Sequence, residues 1–120
     1  MKVTAKHNER IANMVFGTIY PLYLNRLEKN SRTQQELNQV ITWLTGYSDN
    51  KIQEMIDSKA TFKTFFEAAK LHPNAPLITG VICGYRIEEI DNPLTRQTRY
   101  LDKLVDELAR GRKMEKILRA

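Results

Sequence analysis

The chain has one cysteine among 120 residues, which excludes an internal disulfide framework and offers no sign of secretion. It has no run near the roughly 18 to 20 apolar residues that span a bilayer. The opening MKVTAKHNERIANMVF contains no apolar core of a signal peptide, so a soluble cytoplasmic protein is expected. Internal repeats, low-complexity tracts and linkers are also missing, which predicts a single domain over residues 1–120. No HExxH, GxSxG, CxxC or GxxxxGK[ST] occurs, and with them go the metalloprotease, hydrolase, thiol-redox and P-loop signatures.

What is present is ordinary in amount and uneven in placement. Apolar residues make up 42% and charged residues 28%, enough for a core without covalent staples. The net charge is +5. Residues 1–32 hold six basic and two acidic groups, and 91–120 hold eight and five. The middle is neutral to acidic. Positive ends permit an anionic partner without requiring one.

Helical spacing dominates. Phe16, Ile19, Tyr20, Tyr23 and Leu27 share one face, with Pro21 expected in a first turn and Thr18 as its cap. Thr33 and Glu36 have capping-box spacing ahead of Leu37, Val40, Ile41 and Leu44, and Gly46 is placed to end that helix. Ser48 or Asp49 starts a helix bearing Ile52, Met55 and Ile56; Thr61 starts one bearing Phe62, Phe65 and Phe66. Asn92 and Pro93 open a long amphipathic helix through Leu101, Leu104, Val105 and Leu108, ending at Gly111 before a last basic turn. Residues 1–12 are expected to be flexible or extended.

The least polar stretch, LITGVICGYRIEEI at 77–90, reads either way. Alternation of Val81, Cys83, Tyr85 and Ile87 suits a strand, whereas Cys83, Ile87 and Ile90 share a helical face. With no second strand visible, a buried central helix capped by Asn74 is expected, at a cost of about 1 kcal/mol for each interior glycine. The fold class that follows is all-α, one compact domain of about five to six helices.

YPLY (20–23), WLTGY (43–47), LITGVICGYRIEEI and RYLDKLVDELARGRKMEKILR (99–119) occur together in an order that resembles a bacterial family named domain of unknown function 2200. The resemblance runs from Phe16 nearly to the end. NSRT at 30–33 departs from the lysine-glycine turn expected of that family. The resemblance implies a cytoplasmic helical domain of bacterial type and carries no established activity.

Candidate sites are weighed against structural roles. The acidic residues Asp49, Glu54 and Asp57 disqualify 49–57 as a DNA recognition helix. Arg110, Arg112, Lys113, Lys116 and Arg119 could neutralise phosphates, or could complement a helix C-terminus. Arg99–Asp102, Asp106–Arg110 and Lys103–Glu107 have surface ion-pair spacing. Asp102 and Asp106 lack a third ligand, so no metal is expected. His7 falls in the tail, His72 in a loop, and Cys83 among apolar neighbours as an inert buried thiol. No catalytic residue and no cofactor is assigned. On a helix, Gly80 and Gly84 would form a groove flanked by Tyr85, Arg86, Glu88 and Glu89, open to a close-packed backbone or a small ligand. The favoured function is a non-enzymatic module acting through protein contacts, possible homodimerisation included. A nucleic-acid-binding protein using 110–119 is the alternative, and a ligand binder or enzyme at the 80–89 groove comes third.

Overall fold

Seven α-helices are present in a computed structural model that describes residues 4–119: α1 Ala5–Asn13, α2 Phe16–Lys29, α3 Gln34–Thr45, α4 Asp49–Asp57, α5 Phe62–Glu67, α6 Pro93–Ala109 and α7 Met114–Ile117. The all-α expectation holds, with one small addition. Val81–Ile82 (β1) and Tyr85–Arg86 (β2) form an antiparallel hairpin, flanked by single 3-10 turns at Ala75–Leu77 and Ile87–Glu89.

α6 is the central element. Its face of Leu101, Leu104, Val105 and Leu108 is fully buried, and α1, α2, α3, α5, α7 and the hairpin all pack on it. α2 contributes Phe16, Tyr20 and Leu27, and α3 contributes Leu37, Val40, Ile41 and Leu44. Phe62, Phe65 and Phe66 anchor the short α5, and an isolated bridge between Val15 and Thr61 ties its start to the α1–α2 junction.

The helix signals act as the sequence indicates. Thr33 and Glu36 form the reciprocal capping box, and Gly46 ends α3 at a φ of 76°. Ser48, Thr61 and Asn92 each accept a backbone N–H with their side chains at the starts of α4, α5 and α6. Gly111 follows α6 at φ 84°. There the Arg112 N–H reaches the Glu107 carbonyl and the Gly111 N–H reaches Leu108, the paired bonds of a Schellman motif.

The same motif closes α2 on a non-glycine residue. The Arg32 N–H bonds the Leu27 carbonyl and the Ser31 N–H bonds Glu28, with Ser31 at φ 62°. A Cβ in that region costs roughly 1–2 kcal/mol, partly offset by the lower chain entropy of any residue other than glycine. Ser31→Gly is therefore expected to raise stability by up to about 1 kcal/mol, read as a higher urea midpoint at an unchanged slope. No change, or a loss, would mean that the serine side chain offsets its own strain.

Three expectations are corrected. The expectation of a flexible or extended segment over 1–12 fails where the residues are described: Ala5–Asn13 form α1, which Thr4 caps by accepting the His7 N–H, while residues 1–3 lie outside the described residues. Only Ile11 of α1 is buried, so its apolar periodicity is too sparse to read. Pro21 is not in a first turn, and Thr18 is not a cap: α2 begins at Phe16 after Val15, with Pro21 inside it. Proline has no N–H for the carbonyl four residues back, which here belongs to Gly17. Gly17 also lets α2 approach α4, because a Cβ there would lie 3.1 Å from the Ile56 carbonyl oxygen.

The third correction is the largest. Residues 77–90 are not a buried helix capped by Asn74; they run from the end of the first 3-10 turn through the hairpin and the second 3-10 turn. Val81 pairs with Arg86 and Ile82 with Tyr85 around a two-residue turn. Both turn residues have positive φ, Cys83 at 52° and Gly84 at 81°, the type I′ geometry that matches strand twist. The strand partner was inside the segment itself. Asn74 caps nothing with its side chain, which instead donates to the Arg119 carbonyl at 2.7 Å.

Candidate functional site

The hairpin lies against α6 and brings distant polar residues together. Tyr85 packs on the His7 ring, with centroids 5.4 Å apart, and beneath the Arg99 guanidinium at 5.7 Å. Arg99 donates to Asp102 at 2.8 Å and lies 3.3 Å from His7 Nε2. The Tyr23 hydroxyl donates to the other Asp102 oxygen at 2.5 Å. Burial, then the adjacent Asp102 charge, pushes the Tyr23 phenol well above its usual range. His7 is pushed down by burial and by the charges of Arg99 and Arg10, consistent with a neutral ring accepting from Arg99.

The residues assigned to a glycine groove are all in or beside this hairpin, and no helical groove exists. Gly80 and Gly84 are not one helical turn apart: Gly80 precedes β1 at φ 102°, and Gly84 occupies the turn. Arg86 and Glu89 form an exposed pair at 3.9 Å. Glu88 accepts the Gly80 N–H at 3.1 Å, which fastens the hairpin base and lowers its carboxyl pKa through backbone hydrogen bonds. Tyr85 alone of the six enters the polar cluster. Cys83 is exposed at the turn rather than buried in an element. Partial burial of the thiol and the Asp102 charge raise its pKa, the opposite of nucleophile activation.

The basic C-terminal residues divide. Arg110 bonds Asp106 at 2.9 Å, Arg112 bonds Glu107 at 3.0 Å, and Arg119 holds both Glu107 oxygens at 2.8 Å. Lys113 and Lys116 are exposed and make no ion pair among the described residues. The Lys103–Glu107 pair expected from spacing does not form; Lys103 Nζ donates to the Val81 carbonyl at 3.2 Å. Asp106 also receives Arg26 from α2 at 2.7 Å. Burial alone would raise the Asp106 carboxyl, but hydrogen bonds from Arg26 and Arg110 outweigh it and hold it below the usual range.

Arg32 completes this end of the molecule. Its Nε donates to the Leu108 carbonyl at 3.0 Å, and its guanidinium also reaches the Arg112 carbonyl and Glu36. It thus caps the C-terminus of α6 from the α2–α3 turn. Among the described residues no three His, Cys, Asp or Glu side chains gather as a metal-ligand set. No described helix is long and apolar enough to cross a membrane.

Residues 10–119 match the family described as "Uncharacterized protein conserved in bacteria (DUF2200)". The chain belongs to the DUF2200 family. The crystal structure of uncharacterized protein SP1917 shares the DUF2200 chain's fold, with a TM-score of 0.86 and 39% identity. That similarity covers 92% of this chain and 91% of the other. No curated protein matches, so the DUF2200 fold is secured by likeness and its function must be argued from side chains.

Proposed function

We propose that the protein is a non-enzymatic helical module that acts through protein contacts, with a second copy of itself as the first partner. The observation that carries this reading is the closure of its ionisable groups. Asp102 is shared between Arg99 and Tyr23, Asp106 between Arg26 and Arg110, and Glu107 between Arg112 and Arg119. A catalytic acid or base must present a proton or lone pair to a substrate, and these oxygens are already engaged. The Cys83 thiol is raised rather than activated.

Leu77 and Val81 provide a contact surface, at 60% and 53% exposure. They stand at the entry to a two-stranded hairpin, where exposed apolar residues beside open strand edges favour association. The expected result in light scattering is a mass that rises to twice the monomer with concentration. Leu77→Ser with Val81→Ser should hold the protein monomeric at unchanged circular dichroism. A wild-type mass that stays monomeric into the hundreds of micromolar range would overturn self-association. The nucleic-acid alternative ranks second, because of the basic residues in 110–119 only Lys113 and Lys116 lie outside ion pairs among the described residues, and a nucleic-acid backbone needs a continuous row of cations with their charge uncompensated, a stricter demand than one small anion makes.

A further inference from the structure

The last turns of α6 place two buried carboxylates under four guanidiniums. Asp106 receives Arg26 at Oδ1 and Arg110 at Oδ2; Glu107 receives Arg119 at both oxygens and Arg112 at Oε2. Every carboxylate oxygen is engaged, and two negative charges face four positive ones. Lys103, one turn earlier on α6, adds a fifth positive charge. Local neutralisation therefore overshoots.

An open cleft of about 440 Å³ lies at this point between the hairpin and α6. Val81, Lys103, Asp106, Glu107, Arg110 and Arg112 line it. Its donors are far from saturated. A guanidinium carries five N–H groups; Arg110 uses only its Nε–H, and Arg112 only one Nη1–H, in side-chain bonds among the described residues. Their side chains are 76% and 47% exposed. Lys103 spends one donor on Val81. A larger open cleft of about 690 Å³ between α1, α5 and the start of α6 has no such excess, since Glu9 and Glu67 there outnumber Lys63.

We propose that the Lys103–Arg110–Arg112 cleft binds a phosphate group, either inorganic phosphate or the phosphate of a small monoester. The lining itself sets three cations against two carboxylates whose oxygens are already engaged, and the unused N–H groups of two guanidiniums fit the oxygens of a phosphate in pairs, more of them than a monocarboxylate offers. The two buried carboxylates do not compete for the ligand. They hold Arg110 and Arg112 in place by one edge and leave the other N–H groups to bind.

The test uses thermal denaturation and backbone amide NMR with inorganic phosphate, against acetate and chloride at matched ionic strength. Phosphate is expected to raise Tm saturably and to shift amides within 103–112. Lys103→Gln with Arg110→Gln should abolish both effects at nearly unchanged Tm in chloride. If that pair is destabilised, the wild-type amide map decides. Shifts confined to 103–112 and the facing Val81 uphold the site; shifts scattered over other surface cations overturn it. An equal response to acetate or chloride, or full retention of phosphate binding in the double variant, also overturns it. Competition by glycerol phosphate assigns the site to monoesters, and its failure beside saturable phosphate binding assigns it to the free ion.

Discussion

Phe65→Ala is expected to destabilise the protein by about 4 kcal/mol, a large share of the roughly 5–15 kcal/mol that holds a small domain folded. Phe65 is fully buried. Its ring stacks on Phe16 at 4.2 Å and meets Tyr47 and Phe66 edge-on at 5.2 and 5.0 Å. Its carbonyl also accepts the Tyr47 hydroxyl at 2.5 Å. α5 has only six residues, too few to be stable alone, so burial of its aromatic face is what keeps it helical. Truncation would empty the junction of α2, α5 and the α3–α4 turn at once. Urea denaturation followed by the fluorescence of Trp43 measures the loss, with exposed Leu22→Ala as a control expected within about 0.5 kcal/mol of wild type. A loss below about 2 kcal/mol at Phe65 would show that neighbouring rings collapse into the space.

Helix ends and core stripes were legible because their signals are local. Thr33 with Glu36, Gly46, Thr61, Asn92 with Pro93, and Gly111 each act within one turn, and each does what its residue type favours. The hairpin was hidden by brevity. The alternation over 81–87 runs straight through the turn and so reads as one strand without a partner, and Cys83–Gly84 is a less familiar type I′ pair than asparagine–glycine, so only Gly84 signalled the turn. α1 was hidden because it buries a single side chain.

The sites divide along the same line. Arg99–Asp102 and Arg110–Asp106 follow from i,i+3 and i,i+4 spacing and are present. Tyr23 to Asp102 and Arg26 to Asp106 span 79 and 80 residues, and nothing local encodes such pairs. Lys103 shows the converse. Its spacing to Glu107 was suitable, yet Glu107 is taken by Arg112 and Arg119, and Lys103 turns to the hairpin carbonyl instead. Tertiary partners win where they offer two guanidiniums to one buried carboxylate.

Glu107 supplies the second large effect. It is 5% exposed, and Arg119 grips both of its oxygens from 12 residues away. Arg119 in turn passes its carbonyl to Asn74 at 2.7 Å, so this carboxylate pins the α7 segment and, through it, the loop before the hairpin. Glu107→Gln keeps the shape but replaces one oxygen by an NH2 that faces a guanidinium. Breaking a fully buried pair costs about 3–5 kcal/mol. Arg112 is half exposed and can turn to water, so the expected loss is about 2 kcal/mol. The loss should also be local: amide hydrogen exchange is expected to quicken across 114–119 well beyond what global destabilisation produces, while α3 amides follow the global change. Uniform acceleration over the whole chain would mean that Glu107 stabilises α6 itself and that the C-terminal segment is held by Ile117 burial alone.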